Sequence, residues 1–189
     1  MATTAATNTD QLTGSYTIDP AHSRIGFVAR HAMVTKVRGA FDDFEGHGYF
    51  DAEDPSRSHL ELRIRADSIN TRNPDRDAHL RSNDFFDMER YPEITFSSTS
   101  VEPAGPQHYR LHGDLALKGV TKPVTIDVDY EGDAVDPFGN ARIGLEGQAR
   151  INRKDWGVSW NAALEAGGVL VSEDVTLELE VSAIRDEAA

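Results

Sequence analysis

Leu60-Glu61-Leu62-Arg63-Ile64-Arg65-Ala66 alternates apolar and charged residues without a break. A period of two belongs to a β-strand, whose successive side chains point to opposite faces. A charged face opposite an apolar one marks a strand half-buried in an antiparallel sheet. The same period recurs outward from this stretch. Leu111, Gly113, Leu115 and Leu117 alternate with His112, Asp114 and Ala116, and Val124, Ile126, Val128 and Tyr130 with Thr125, Asp127 and Asp129. Ile143, Leu145, Gly147, Ala149 and Ile151 oppose polar neighbours, as do Val175, Leu177, Leu179 and Val181. Further strands are expected around residues 16–19, 24–31, 37–50 and 93–101. Turn signals separate the runs at Asp54-Pro55, Pro103-Ala104-Gly105-Pro106, Gly119 and Pro137-Phe138-Gly139-Asn140. Roughly eight strands with one polar and one apolar face predict an all-β barrel or sandwich.

One helix is predicted, over Pro74–Arg81. Asn73 is a suitable N-cap, Pro74 fits the first helical position, and Asp75 and Asp77 suit the positive end of the helix dipole. Its shortness places it beside or across a barrel mouth. Residues 1–13 and 186–189 read as polar tails around a single domain over 14–185. The opening residues carry neither basic charge nor an apolar run, so a cytoplasmic setting is expected.

Composition narrows the function by exclusion. The 189 residues hold 32 Asp and Glu against 19 Lys and Arg, a formal charge of −13, and no cysteine. Disulfides, thiolate nucleophiles and cysteine-ligated metals are thereby excluded. The excess of negative charge repels phosphate, so neither nucleic acid nor stable binding to an anionic membrane is expected.

Motifs for chemistry are sparse. His108 and His112 share a strand face, but four strand residues span about 13 Å, too far for one ion. Asp127-Val128-Asp129 resembles the start of a calcium loop, yet the position where such a loop needs a glutamate is Phe138. Gly46-His47-Gly48 lacks the strand–turn–helix of a dinucleotide site, and Ser23 lacks a nucleophile elbow. No metal, no cofactor and no catalytic residue is therefore expected. The aromatic residues fit a filled barrel core and a hollow, ligand-holding barrel equally well.

Several segments taken in order resemble a known family. They are Asp19-Pro20-Ala21-His22-Ser23 through Phe27, Arg38-Gly39-Ala40-Phe41, the long run from Ala66-Asp67-Ser68 through Arg76-Asp77-Ala78-His79 to Phe85-Phe86-Asp87, then Tyr91-Pro92-Glu93-Ile94-Thr95-Phe96, Leu117-Lys118-Gly119-Val120-Thr121-Lys122-Pro123, and Ile151-Asn152-Arg153-Lys154-Asp155-Trp156-Gly157. Together they resemble the YceI-like, or polyisoprenoid-binding, family over nearly the whole chain. The resemblance implies an extended, antiparallel, eight-stranded lipocalin-like barrel holding a long isoprenoid, polyprenyl or quinone-like, or another fatty-acid-like lipid, and it allows a homodimer. Many relatives of that family are periplasmic.

On this reading the protein binds, sequesters or transports a hydrophobic small molecule without catalysis. The expected lumen residues are Ile25, Phe27, Phe41, Phe44, Leu62, Ile64, Phe85, Phe86, Ile94, Phe96, Leu115, Leu117, Val124, Ile126, Trp156 and Trp160. His22, Arg76, Asp77, His79 and Arg153 are expected either to meet a head group or to anchor the fold. An enzyme acting on an isoprenoid-type substrate, with His79, His22 or Asp77 at its centre, and a stress-related protein with a filled barrel are the alternatives.

Overall fold

The structure, a computed structural model, describes residues 12–188. Residues 1–11 of the expected N-terminal tail, and Ala189, lie outside the described residues. The chain runs β1 (Gly14–Ile18), β2 (Arg24–His31), β3 (Thr35–Phe41), β4 (Phe44–Phe50), β5 (His59–Arg65), β6 (Ile69–Asn70), α1 (Pro74–Arg81), β7 (Glu93–Gly105), β8 (His108–Leu117), β9 (Val120–Val135), β10 (Ala141–Asn152) and β11 (Asp174–Arg185). The hydrogen-bonded order β1-β4-β5-β7-β8-β9-β10-β11 returns to β1 and closes an antiparallel eight-stranded barrel.

Three of the eight strands are broken at a common level. β11 pairs with β2 through Thr176–Glu180 and with β1 through Ala183–Arg185, so β1 and β2 are two halves of one bent strand. Likewise β2–β3–β6 repeats, at the other end, the neighbour order of β1–β4–β5. Local chemistry makes the breaks. Asp19 caps a 3-10 turn at Pro20–His22, its carboxylate accepting from Ala21 N at 3.0 Å, and proline there donates nothing to a ladder. Asp42 and Asp43 separate β3 from β4, and a second 3-10 turn at Ala66–Ser68 separates β5 from β6. Asp42 N donates to Ser68 O at 3.1 Å and Arg65 N to Asp43 O at 2.9 Å, stitching the two bends together. The single run expected over 37–50 is thus divided, because consecutive carboxylates cannot continue into the core at the bend.

α1 has the predicted bounds and cap: Asn73 accepts from Arg76 N at 3.0 Å. Polar contacts fasten it. The buried Asp77 accepts from Thr71 N at 2.9 Å and Thr71 Oγ1 at 2.6 Å, while Arg76 Nη2 donates to Thr71 O at 2.8 Å. Arg81 donates to the carbonyls of Asp67 and Ile69.

The helix end of the barrel is filled. Phe27 meets Phe41 at 5.9 Å between ring centroids, Phe41 meets Phe86 at 6.4 Å, and Phe85 meets Trp160 at 5.2 Å. Here β9 and β10 part, their pairing stopping at Gln148 opposite Asp127 although β10 continues to Asn152. Trp156 closes that gap, 3% exposed, with its indole Nε1 donating to Leu115 O at 2.9 Å. Beside it the buried Arg153 donates to four carbonyls, those of Val158, Trp160, Val171 and Ser172. No helix among the described residues is long and apolar enough to cross a membrane.

Candidate ligand-binding cavity

Away from the helix the lumen is open: a cavity of about 140 Å³ lies between all eight strands. Alternation along each strand sorts its wall into levels. Nearest the β4–β5, β7–β8 and β9–β10 loops stand Tyr16, Phe50, Tyr109, Tyr130, Ile143 and Ala183; deeper stand Ile18, Leu60, Leu111, Ile126 and Leu179. Gly48 and Gly147 also border it. A Cβ on Gly48 would collide with the carbonyl oxygen of His59.

The outer level is fixed by its own chemistry. Tyr16 Oη donates to Leu12 O at 2.8 Å, and Leu12 packs with Phe50, Tyr130 and Leu145 on the cluster of Tyr16, Ile143 and Ala183. Tyr130 Oη donates to Asp133 at 2.7 Å. Burial pushes the pKa of both phenols up, and for Tyr130 the Asp133 carboxylate adds to the rise, so both stay neutral at physiological pH. Phe50 meets Tyr109 edge-on, with ring centroids 6.1 Å apart. Among the described lining residues there is no Lys or Arg, and the polar groups are phenols, Ser58 and His59.

A chain of charge holds the β9–β10 loop to the β1–β2 bend. Arg142 Nη1 donates to Asp19 and Nε to Asp136, both at 2.7 Å. Asp136 also accepts from Phe138 N, Asn140 N and Asn140 Nδ2, which fixes the turn that displays the exposed Phe138. Hydrogen bonds from Arg142 and then His22 lower the pKa of Asp19 from 3.8 to about 2. Asn140 and Arg142 hold that of Asp136 well below the usual carboxylate range. A carboxylate with a lowered folded-state pKa stabilises the fold fully above its unfolded value and loses that effect as pH falls through the folded one. Stability is therefore expected to fall between about pH 4 and pH 2. Arg142→Gln flattens that acid limb in a series of thermal midpoints against pH; an unchanged limb contradicts the assignment.

All sixteen residues expected in the lumen belong to the one core cluster, but only Ile126 borders the cavity. Phe27, Phe41, Phe85, Phe86, Trp156 and Trp160 pack at the helix end. Ile25, Phe44, Leu62, Ile64, Ile94, Phe96, Leu115, Leu117 and Val124 also pack within that cluster. Of the polar group, Arg76, Asp77 and Arg153 bond to their own chain, as above. His22, on the outer surface, meets Asp19 at 2.7 Å. His79 meets Asp84 at 2.8 Å and lies edge-on to Phe85 and Trp160. The wall residues missed by sequence reasoning, such as Tyr16, Tyr109 and Ile143, continue the same alternation one or two steps toward the loops. Among the described residues no three His, Asp or Glu side chains gather as a metal site.

Residues 16–183 match the YceI-like domain family. The chain belongs to it. This YceI chain is 38% identical to a UPF0312 protein of Staphylococcus aureus (strain MSSA476), over 87% of its own length and 94% of that protein's. The YceI protein of Campylobacter jejuni superposes with a TM-score of 0.73 at 29% identity, covering 84% of this chain and 90% of that one. BcnA of Burkholderia cenocepacia shares the fold, with a TM-score of 0.77 at 23% identity over 87% of this chain and 98% of that one. So does a polyisoprenoid binding domain from Saccharophagus degradans, with a TM-score of 0.68 at 15% identity over 90% and 98%. The YceI barrel is thus the frame on which this chain builds its Tyr-rimmed cavity.

Proposed function

We propose that this YceI-family protein is a non-enzymatic binder and carrier of an isoprenoid or similar lipid, whose apolar chain enters the barrel from the tyrosine-rimmed end. The observation that carries this is the cavity bordered by all eight strands, with aliphatic and aromatic walls. Removing one methylene from water contributes about 0.8 kcal/mol, so a chain can be held by burial alone. The likeness to a polyisoprenoid binding domain of the same fold supports the choice of ligand. His22, Asp77 and His79 lie outside the cavity wall, which favours binding over catalysis.

The rim favours a neutral head group. Asp133 is fixed there by the Tyr130 hydroxyl, and one like-charge contact at a few ångström opposes a phosphate by about 1 kcal/mol in water. Native mass spectrometry of the gently purified protein, followed by organic extraction, is expected to yield a co-purifying lipid. In titrations, farnesol is expected to bind at least about fivefold more tightly than farnesyl diphosphate. A uniform ligand-free mass together with no saturable binding of prenols, quinones or fatty acids overturns the carrier reading. Tighter binding of the diphosphate overturns the head-group assignment alone.

A further inference from the structure

Among the described residues four large apolar side chains are exposed, and two of them stand together at the tip of the β2–β3 hairpin: Met33, 60% exposed, and Val34, 74% exposed. The tip is a tight turn. Val34 N donates to His31 O at 3.1 Å, and both central residues, Ala32 and Met33, lie in the left-handed region with φ of 49° and 63°. Such a turn favours Asn and Gly, and other residues carry backbone strain there. The strands behind the turn add a second cost. Arg30 lies directly across the ladder from Lys36, and Arg38, two residues on, shares their face. Like charges so placed repel each other. None of these three side chains makes a hydrogen bond or an ion pair among the described residues. No Asp or Glu occurs from residue 20 to residue 41, in a chain of net charge −13. β3 has no second strand neighbour before Ala40, where it meets the two-residue β6, so the open edge of the hairpin is also the basic one. Strain, paired like charges and exposed apolar side chains all oppose folding, and positions that break local rules in this way are where function is expected.

We propose that the β2–β3 hairpin docks the protein reversibly on an anionic lipid bilayer, with Met33 and Val34 entering the interface and Arg30, Lys36 and Arg38 lying against the head groups. Charge complementarity selects this partner. The net charge of the molecule has the wrong sign, but ions screen a charge beyond about 8 Å at physiological salt, so only charges near the tip count. At about 3.3 Å per strand residue, Asp19 and Asp42 at the bend lie about 20 Å or more from it. The carboxylates of the groove beside the hairpin are paired with other cations: Glu173 with Lys154, Asp174 with Arg150 and Glu178 with Arg24. The loop that packs on Met33 at Gly168 carries one carboxylate, Glu165. Each Lys or Arg beside an anionic membrane strengthens binding about fivefold, and three give on the order of a hundredfold. An apolar tip between basic flanks suits a lipid interface, where burial and charge act together. The phosphates of a nucleic acid, or the carboxylates of an acidic protein, would leave Met33 and Val34 in water. The hairpin and the tyrosine rim stand at opposite ends of the barrel, so docking is independent of what fills the cavity.

The test is co-sedimentation of the intact protein with vesicles of equal parts phosphatidylglycerol and phosphatidylcholine, and with vesicles of phosphatidylcholine alone. The protein is expected to bind the first and to lose affinity as salt is raised through about 0.15 M, and to leave the second in solution. Lys36→Gln combined with Arg38→Gln is expected to weaken binding to the anionic vesicles about 25-fold. Val34→Ser withdraws apolar surface without touching charge. One methylene is worth about fourfold, so a loss of at least that size is expected on vesicles, with no change in binding to polyglutamate or to a short DNA duplex. All three substituted residues are exposed, and urea midpoints are expected to hold, with Lys36→Gln relieving the repulsion from Arg30. Equal binding to both kinds of vesicle overturns the proposal, as does binding indifferent to the double substitution. Vesicle binding unchanged by Val34→Ser removes the apolar contact and the lipid assignment with it. Polyglutamate or DNA bound as tightly as the anionic vesicles assigns the hairpin to an acidic macromolecule and overturns the bilayer as its partner.

Discussion

Arg153→Ala is expected to lower the unfolding free energy by about 4 kcal/mol, near the top of the range for single substitutions. The side chain is 5% exposed, and its guanidinium is the shared donor for the carbonyls of Val158, Trp160, Val171 and Ser172. Those carbonyls belong to the long connection between Trp156 and β11, which has almost no regular structure to satisfy them. A buried acceptor left unpaired costs about 1–3 kcal/mol, and a hydrogen bond from a charged donor contributes about 1.5–3 kcal/mol. Four such bonds cannot all be lost at full cost, because the connection loosens and admits water; hence a figure well below their sum. Burial lowers the pKa of Arg153, with Glu173 opposing, but a guanidinium stays charged, so the effect is independent of pH near neutrality. Arg153→Lys places a point charge where a planar fork is needed and recovers only part of the loss. Urea denaturation checks the magnitude, and faster amide exchange over residues 158–172 checks the mechanism. A loss below about 1 kcal/mol, the worth of one ordinary hydrogen bond, contradicts it.

Trp156→Ala is the second large effect, at about 4 kcal/mol. Truncating a buried large aromatic costs about 3–5 kcal/mol through lost transfer and the cavity left behind. Trp156 follows β10 where its pairing with β9 has stopped, and it is buried within the core cluster, so its removal leaves a cavity there. The indole Nε1 bond to Leu115 O is lost as well. Trp156→Phe separates the two contributions. It retains most of the volume and gives up the hydrogen bond, for an expected loss of about 1–2 kcal/mol. Equal losses in the two variants, measured by chemical denaturation, place the whole effect in the hydrogen bond and contradict the packing account.

The barrel was legible in the sequence because its cause is local. Leu60, Leu62 and Ile64 alternate with charge since one face of β5 meets the core and the other meets water. Helix α1 was legible to its ends because Asn73, Pro74 and the early aspartates are the signals of a helix start. The breaks at Asp19-Pro20 and Asp42-Asp43 take their meaning from three strands bending at one level, which is a property of the closed sheet and not of a local run. The site was harder to read for a related reason. Alternation tells which face a residue takes and says nothing about its height along the barrel axis. Phe85, Trp156 and Trp160 drew attention as bulky apolar residues, and bulk is what fills the helix end. The empty end is bordered by Gly48, Gly147 and tyrosines, and tyrosine at a strand end reads equally as surface. A void is created by atoms that are missing, so residue types that mark a core pass over it.

The division of β11 between β1 and β2 has a consequence for biosynthesis. Tyr16 pairs with Arg185, and Thr17 bonds to Asp186 across a separation of 169 residues. Both halves of the first bent strand therefore wait for β11 to be made. Until it leaves the ribosome, β1 and β10 are open edges flanking an incomplete wall, able to pair with other nascent chains. Contacts so distant in sequence also slow folding. The barrel is therefore expected to close only once β11 has emerged from the ribosome. Truncations within β11 should then appear as aggregation during synthesis, well before any deficit in binding could be measured.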